Sequence, residues 1–362
     1  MPESSKRAAR RSAATMDAAP GAQPDDVRVG MIGVIPALLR ESHCDPDKVM
    51  ASVGLDPALF DDPNAWISFT RGTALLEACA VASGIPHFGL LVGARFDLSM
   101  LGVLGQLMIN SDSVRTALGH LIQHLHLHDR GAVGFMIDLD GDETALGYSI
   151  FRSDVPGISQ IYGIAMAHAC GIMRSLCGLS WNPGRVTFSH GIPPDAAPYR
   201  RFFRAPLHFD AARSEVIFAS HWLDRPLAGV SPSLRMAAER MALILENDGD
   251  NCLAEQVQRA VHRLLMTGDV SSPRICAQLG IHERVLRRLL LAQGTSLNKL
   301  IGASRYESAC QLLGHTQLSL AEIASSLGYS DTTAFSRAFR KWAKTSPSEW
   351  QNRARAATLR HP

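Results

Sequence analysis

Thr333, Ser336, Arg337 and Arg340 fall on one face of a short amphipathic segment near the end of this 362-residue chain, with Lys341 beside them. These side chains suit a duplex nucleic acid. An arginine fork can pair with guanine O6 and N7, a threonine methyl can touch thymine, and Arg340 and Lys341 are placed to hold phosphate. A solvated amphipathic helix carries the same pattern, so the flanking elements must decide between the two.

Those elements favour DNA. Phe335, Phe339 and Trp342 recur at i, i+4, i+7 on the opposite face, which predicts a buried stripe. Upstream, Leu320, Ile323, Ala324 and Leu327 form a second stripe, opened by a Ser319/Glu322 capping box. Gly328 permits the sharp turn between them, Ser330 or Asp331 can cap the second helix, and Pro347 follows it. Together they spell a helix-turn-helix. A fainter copy precedes it: Ile275, Cys276, Leu279 and Gly280 match Ile323, Ala324, Leu327 and Gly328. With one extra residue in the second turn, Leu286, Arg288 and Leu290 match Phe335, Arg337 and Phe339. Between the two units a helix is predicted from about Ser296 to Leu313, roughly 25 Å long. Such a spacer can set two recognition helices about one DNA turn, roughly 34 Å, apart.

Charge is distributed to match. From Asn251 to the end there are 15 Lys+Arg against 7 Asp+Glu, net +8; the remainder holds 36−15=21 against 34−7=27, net −6. A basic C-terminal module on a mildly acidic body fits a nucleic-acid binder with a separate sensor. The 46% hydrophobic content supports more than one core. No run of about 18 apolar residues and no apolar leader is seen, so neither a membrane span nor a secretory signal is expected. Seven scattered cysteines without a CxxC predict buried thiols in a reducing cytoplasm, not disulfides or a zinc knuckle.

Taken in order, residues 1–26 read as a disordered tail whose KRAARR run either touches DNA or only solubilises. Helical signals run from Val27 to Leu127. Two alternating runs about Asp140-Gly141-Asp142 then predict a hairpin, followed by a long apolar helix from Ile158 to Leu176 and strands at GRVTF and EVIFA. The expected fold is multidomain: an α+β N-terminal sensor followed by an all-α tandem helix-turn-helix domain. Its expected bounds are 27–232 for the regulatory domain, 233–251 for a largely helical linker, 252–355 for the DNA-binding domain and 356–362 for a tail.

The C-terminal motifs resemble the AraC/XylS family of bacterial transcription regulators over about 100 residues. The resemblance lies in A-x-x-L-G-Y at Ala324 to Tyr329, F-S-R-A-F at Phe335 to Phe339, S-P-S-E-W at Ser346 to Trp350 and R-x-x-x-A-x-x-L-L at Arg305 to Leu313. The region from about Ile35 to Arg235 is similar, more weakly, to the arabinose-binding-domain-like sensor of one branch, through PHFGLLVG, LGVLGQLMINSDSVRTAL and the stretch from Val186 to Ala211. The resemblance implies a cytoplasmic transcriptional activator that binds promoter DNA, a small effector and RNA polymerase, and that can form a homodimer. Carried over residue by residue, base contacts fall on Arg284, Arg287 and Arg288 in the first unit and Thr332, Thr333, Ser336 and Arg337 in the second. Ser330, Arg340 and Lys341 take backbone contacts. His282 replaces the usual capping serine, Leu291 sets an apolar residue beside the three arginines, and Lys344 stands where glycine is frequent.

Other chemistry finds less support. His120, His124 and His128 would line one face of a continuous helix near Asp129, a conceivable metal set, but they equally suit a helix C-terminus. No GxSxG, Walker loop or HExxH is present, so no enzyme, cofactor or metal is expected. Gln160, Tyr162, His168 and Arg174 interrupt the apolar helix and are the first candidates for effector contact, or else for structural hydrogen bonding.

Overall fold

The computed structural model describes residues 26–227, 231–248, 252–268 and 270–358. Residues 1–25 of the expected tail lie outside the described residues, and Asp26 already belongs to strand β1 (Asp26–Arg28). β1 pairs antiparallel with β2 (Trp66–Ser68), a two-stranded ribbon in a region expected to be only helical. Strands of three residues carry too little alternation to register as a period.

Six helices surround this ribbon: α1 (Ile35–Glu41), α2 (Pro46–Ser52), α3 (Phe69–Ser83), α4 (Phe88–Ala94), α5 (Gly102–Ile109) and α6 (Val114–His124). Asp45, Ser68 and Ser113 cap three of them through side-chain oxygens. The hairpin then forms as expected, with β3 (Ala132–Leu139) and β4 (Glu143–Ile150) in register and Gly141 and Asp142 at positive φ in the turn. Helix α7 (Ile158–Cys177) crosses behind it. β5 (Arg185–Thr187), helix α8 (Ala197–Phe203), β6 (Leu207–His208) and β7 (Ser214–Ala219) follow, giving a sheet of order β3-β4-β7-β5-β6 in which only β5 and β6 run parallel. Gly89 and Gly93 allow α4 to lie directly on α7. A Cβ at Gly89 would meet the Gln160 carbonyl at 2.2 Å, and one at Gly93 would meet the Ala167 Cβ at 2.6 Å.

Helix α9 (Pro232–Asp248) packs Ala238 and Ala242 against Leu107 and Leu127, leaving Leu234, Met236, Met241, Leu243 and Ile244 exposed. The remaining helices are α10 (Leu253–Thr267), α11 (Ser272–Leu279), α12 (Glu283–Ala292), α13 (Leu297–His315), α14 (Leu320–Ser326), α15 (Thr332–Ala343) and α16 (Pro347–Thr358). The chain is therefore an α+β N-terminal region followed by an all-helical one. The last helix runs to Thr358, so residues 356–358 are helix rather than tail; residues 359–362 lie outside the described residues. Of the seven thiols, Cys79, Cys170, Cys177 and Cys310 are buried as expected, Cys44 and Cys276 are half-buried, and Cys252 is exposed.

The sheet separates two cores. Alternation along β3 sends Met136 inward with Leu146 and Tyr148 of β4, into the N-terminal core. Phe135 and Ile137 point the other way, into a cluster with Val257, Val261 and Leu264 of α10, Ile275 of α11 and Leu286 and Leu290 of α12. The Phe135 ring lies over Gly147, where a Cβ would stand 2.2 Å from its Cζ.

Candidate nucleic-acid interface and effector cavity

Two helix-turn-helix units occur where the repeat places them. In the first, Gly280 (φ 62) turns α11 into α12, and Leu286 and Leu290 are wholly buried. His282 closes the start of α12: its Nδ1 accepts from the Arg284 amide at 3.3 Å. The imidazole thus does the work of the missing serine and does not leave the helix uncapped. In the second unit Ser319 and Glu322 form the reciprocal capping box, Gly328 takes φ 73, and the Asp331 Oδ1 accepts from the Ala334 amide at 2.7 Å. Phe335 and Phe339 are fully buried among Tyr306, Tyr329 and Trp350, while Trp342 is half-buried with its ring 6.0 Å from that of Tyr306. Lys344 adopts the left-handed conformation (φ 58) that ends α15, at a cost of about 1 kcal/mol relative to glycine.

The outward faces present most of these residues to solvent. Arg284, Arg287 and Arg288 are exposed on α12, and Thr332, Thr333, Arg337, Arg340 and Lys341 on α15; Ser330 is exposed in the turn and Ser336 is half-buried. Arg287 is engaged by Glu283 at 2.6 Å, and Leu291 is 75% exposed beside it. No ion pair holds Arg337, Arg340 or Lys341 among the described residues. Helix α13 has 19 residues, about 28 Å, and separates the units as a spacer should.

The N-terminal region encloses a cavity of about 130 Å³ between the inner face of the sheet, α3 and α7. Apolar side chains such as Phe69, Leu76, Leu121 and Ile161 make most of its wall, with Thr73, His128, Asp129, Tyr148 and His168 as its polar members. The Tyr148 hydroxyl donates to Asp129 Oδ2, and the Gly131 amide donates to Asp129 Oδ1 at 2.9 Å. Burial pushes the Asp129 carboxyl up to about 6 and the Tyr148 phenol well above its usual value. His128 donates to the Leu101 carbonyl at 3.0 Å, and burial lowers both His128 and His168 to about 4, so both are neutral at pH 7. The His168 Nε2 is buried and has no hydrogen-bond partner among the described residues.

Of the four expected effector residues, only His168 lines this cavity. Gln160 is a tie, donating to the Pro86 carbonyl at 2.8 Å and accepting from the Gly89 amide at 2.8 Å. Arg174 donates to the carbonyls of Trp181 at 3.3 Å and Phe202 at 3.0 Å. Tyr162 faces the DNA-binding module, accepting from Gln311 Nε2 of α13. The histidine set is also divided. The helix ends at His124, a 3-10 turn follows, and His128 swings away to Leu101, while His124 pairs with Glu246 of α9 at 2.8 Å. Among the described residues no group of three metal-ligating side chains converges. Asp129 and Tyr148, which the sequence left unmarked as cavity residues, are 19 positions apart and meet only through the hairpin.

The cavity wall reaches the spacer helix through contiguous contacts. Tyr148 meets Tyr162 edge-on at 6.3 Å between ring centroids, and Tyr162 holds Gln311. Further polar ties join the halves: Ser153 donates to Glu307 from its amide at 2.9 Å and its hydroxyl at 2.8 Å, the Gln317 amide donates to Asp210 at 2.9 Å, and Arg213 donates to the Met266 carbonyl of α10 at 3.2 Å.

Residues 44–227 match the arabinose-binding domain of AraC transcription regulators, and residues 275–353 match a helix-turn-helix domain. The chain belongs to the AraC family of transcription regulators. This AraC-family regulator is 26% identical over 315 residues to the HTH-type transcriptional regulator VirS of Mycobacterium tuberculosis, covering 87% of the chain and 93% of VirS. It is 28% identical over 300 residues to the ornithine utilization regulator of Pseudomonas aeruginosa, covering 82% and 87% respectively. The crystal structure of the transcriptional regulator CdpR from Pseudomonas aeruginosa aligns with 85% of this chain and 96% of its own, at 21% identity and a TM-score of 0.42. The protein is thus a DNA-binding transcription regulator with an N-terminal ligand-binding domain, not an enzyme.

Proposed function

We infer that this regulator binds two adjacent major grooves of promoter DNA through α12 and α15, and that a small effector in the N-terminal cavity governs how they are presented. The observation that carries the reading is the pair of helix-turn-helix units, each baring a basic face, at the two ends of one 19-residue spacer. Arg284, Arg287, Arg288, Thr332, Thr333, Ser336 and Arg337 meet base edges, and Ser330, Arg340 and Lys341 meet phosphates. The division is a regulatory domain at 27–232, a linker at 233–251 and a DNA-binding domain at 252–355. The cell's RNA polymerase is the downstream partner in the cytoplasm, and the exposed apolar face of α9 supports association with a second copy.

Coupling follows from the sheet being one layer thick. Leu146 and Tyr148 touch the cavity, while Phe135 on the opposite face is part of the core of the first unit. A ligand that shifts β3 and β4 therefore acts on α10 directly, and on α13 through Tyr162 and Gln311. Mobility shift on DNA upstream of the neighbouring genes, with and without metabolites of their pathway, tests the proposal. A retarded, salt-sensitive complex whose affinity responds to one metabolite is expected; equal retention of promoter and random DNA under all conditions would overturn it.

A further inference from the structure

Resting on the effector reading above, we propose that the N-terminal cavity takes an uncharged molecule of single-ring size, largely apolar, bearing one hydroxyl or carbonyl group that hydrogen-bonds the His168 imidazole. Size is set by the cavity: at about 130 Å³ it resembles apolar cavities of about 150 Å³ that stay dry and admit benzene. Charge is set by the wall, which among the described residues carries no lysine or arginine to hold a carboxylate or phosphate. Its one acidic group, Asp129, is buried and already accepts from Tyr148 on one oxygen and from Gly131 on the other, so an ammonium group would be stripped of water to meet a carboxylate engaged on both oxygens.

Polarity is set by what is already bonded. Thr73 donates to the Thr70 carbonyl at 2.9 Å, His128 is held by Leu101, and Tyr148 by Asp129. His168 remains: its ring packs 4.9 Å from that of Phe96, and its buried Nε2 is unpartnered among the described residues. Among the described residues no hydrogen bond engages this imidazole, and the residue lines the cavity, so a ligand there can supply the partner that a buried polar group wants. A polyol would instead bury several hydroxyls against Phe69, Leu76, Leu121, Ile161 and Ile172 with nothing to bond them. A ligand here would press on Tyr148 and Leu146, the cavity-side residues of the sheet.

Calorimetry on the full chain with four probes tests this: benzyl alcohol, toluene, benzoate and a pentose. Benzyl alcohol should bind about tenfold more tightly than toluene, as expected for one hydrogen bond made to a buried group, and benzoate and the pentose should not bind. In His168→Leu the two ring compounds should become equal, while His168→Gln should keep the preference. If His168→Leu is misfolded by circular dichroism, the imidazole ¹⁵N shift of His168 in the native chain, moved by the alcohol and not by toluene, serves in its place. Binding of benzoate or the pentose as tightly as the alcohol, a preference untouched in His168→Leu, an unmoved imidazole, or no binding of either ring compound at millimolar concentration would overturn the proposal. Promoter affinity measured alongside separates the two readings. Alcohol binding without any change in promoter affinity upholds the site and removes the effector role. A promoter response to a charged metabolite, with no ring compound bound, does the reverse.

Discussion

The two helix-turn-helix units share a plan but not a foundation. The second has its own aromatic core of Phe335, Phe339, Tyr306, Tyr329 and Trp350, and touches the sensor through polar ties near it, at Glu307, Gln311 and Gln317. The first completes its core with a sensor residue, Phe135, and packs Phe151 of the sensor against His262 of α10 at 4.9 Å. Its recognition helix also engages Arg287 with Glu283 and exposes Leu289 and Leu291. An independent core, with arginines that no ion pair holds among the described residues, suits a reader of bases. A shared core suits a unit whose placement the sensor controls.

Acid should separate them most. Burial depresses His126, His128, His168 and His190 of the sensor, and His262 of α10, to about 4. These groups bind more protons unfolded than folded, so the stability tied to them is complete above about pH 6.5 and is lost as pH falls toward about 4, on the order of 1 kcal/mol per histidine per pH unit. Helices α14 and α15 hold no histidine. Hydrogen exchange across that range should open the sensor and first unit before the second; simultaneous opening would break the distinction.

Phe339→Ala should cost about 3 to 5 kcal/mol and unfold the second unit alone, whereas Phe135→Ala, with a similar core loss, should loosen the sensor sheet and α10 together. Denaturation followed by site-specific exchange distinguishes the two outcomes. Arg337→Ala should lose about 1 to 3 kcal/mol at one position of the binding site, while Arg287→Ala, already paired with Glu283, should lose less, as read by titration of single-base variants. The smallest effect belongs to Lys341→Ala, which should weaken all sequences alike and lower the salt slope of binding by about 0.9, one phosphate's worth.

Much of this was legible because local rules and tertiary structure agree. Ser319, Glu322, Gly328 and Asp331 act within a few residues of one another, and the 48-residue repeat supplied the first unit even though His282 had to be seen in place to be recognised as a cap. The hairpin and α7 were legible for the same reason. The cavity was not. Its polar members Thr73, His128, Asp129, Tyr148 and His168 come from three elements and the turn before β3, and only folding shows that Gln160 and Arg174 face backbone carbonyls whereas His168 lines the cavity. Glu246, which takes His124 out of any metal set, lies 122 residues away. The short β1 and β2 were missed because their pairing is long-range and their length too small for a pattern.

The central claim, that one chain reads DNA twice, is tested most directly by hydroxyl-radical footprinting of the full-length protein on its promoter. Two protected patches on one face, about one helical turn or roughly 34 Å apart, are expected, with Arg337→Ala erasing one and Arg284→Ala/Arg288→Ala the other. A single patch, or one that both variants weaken equally, would contradict the account.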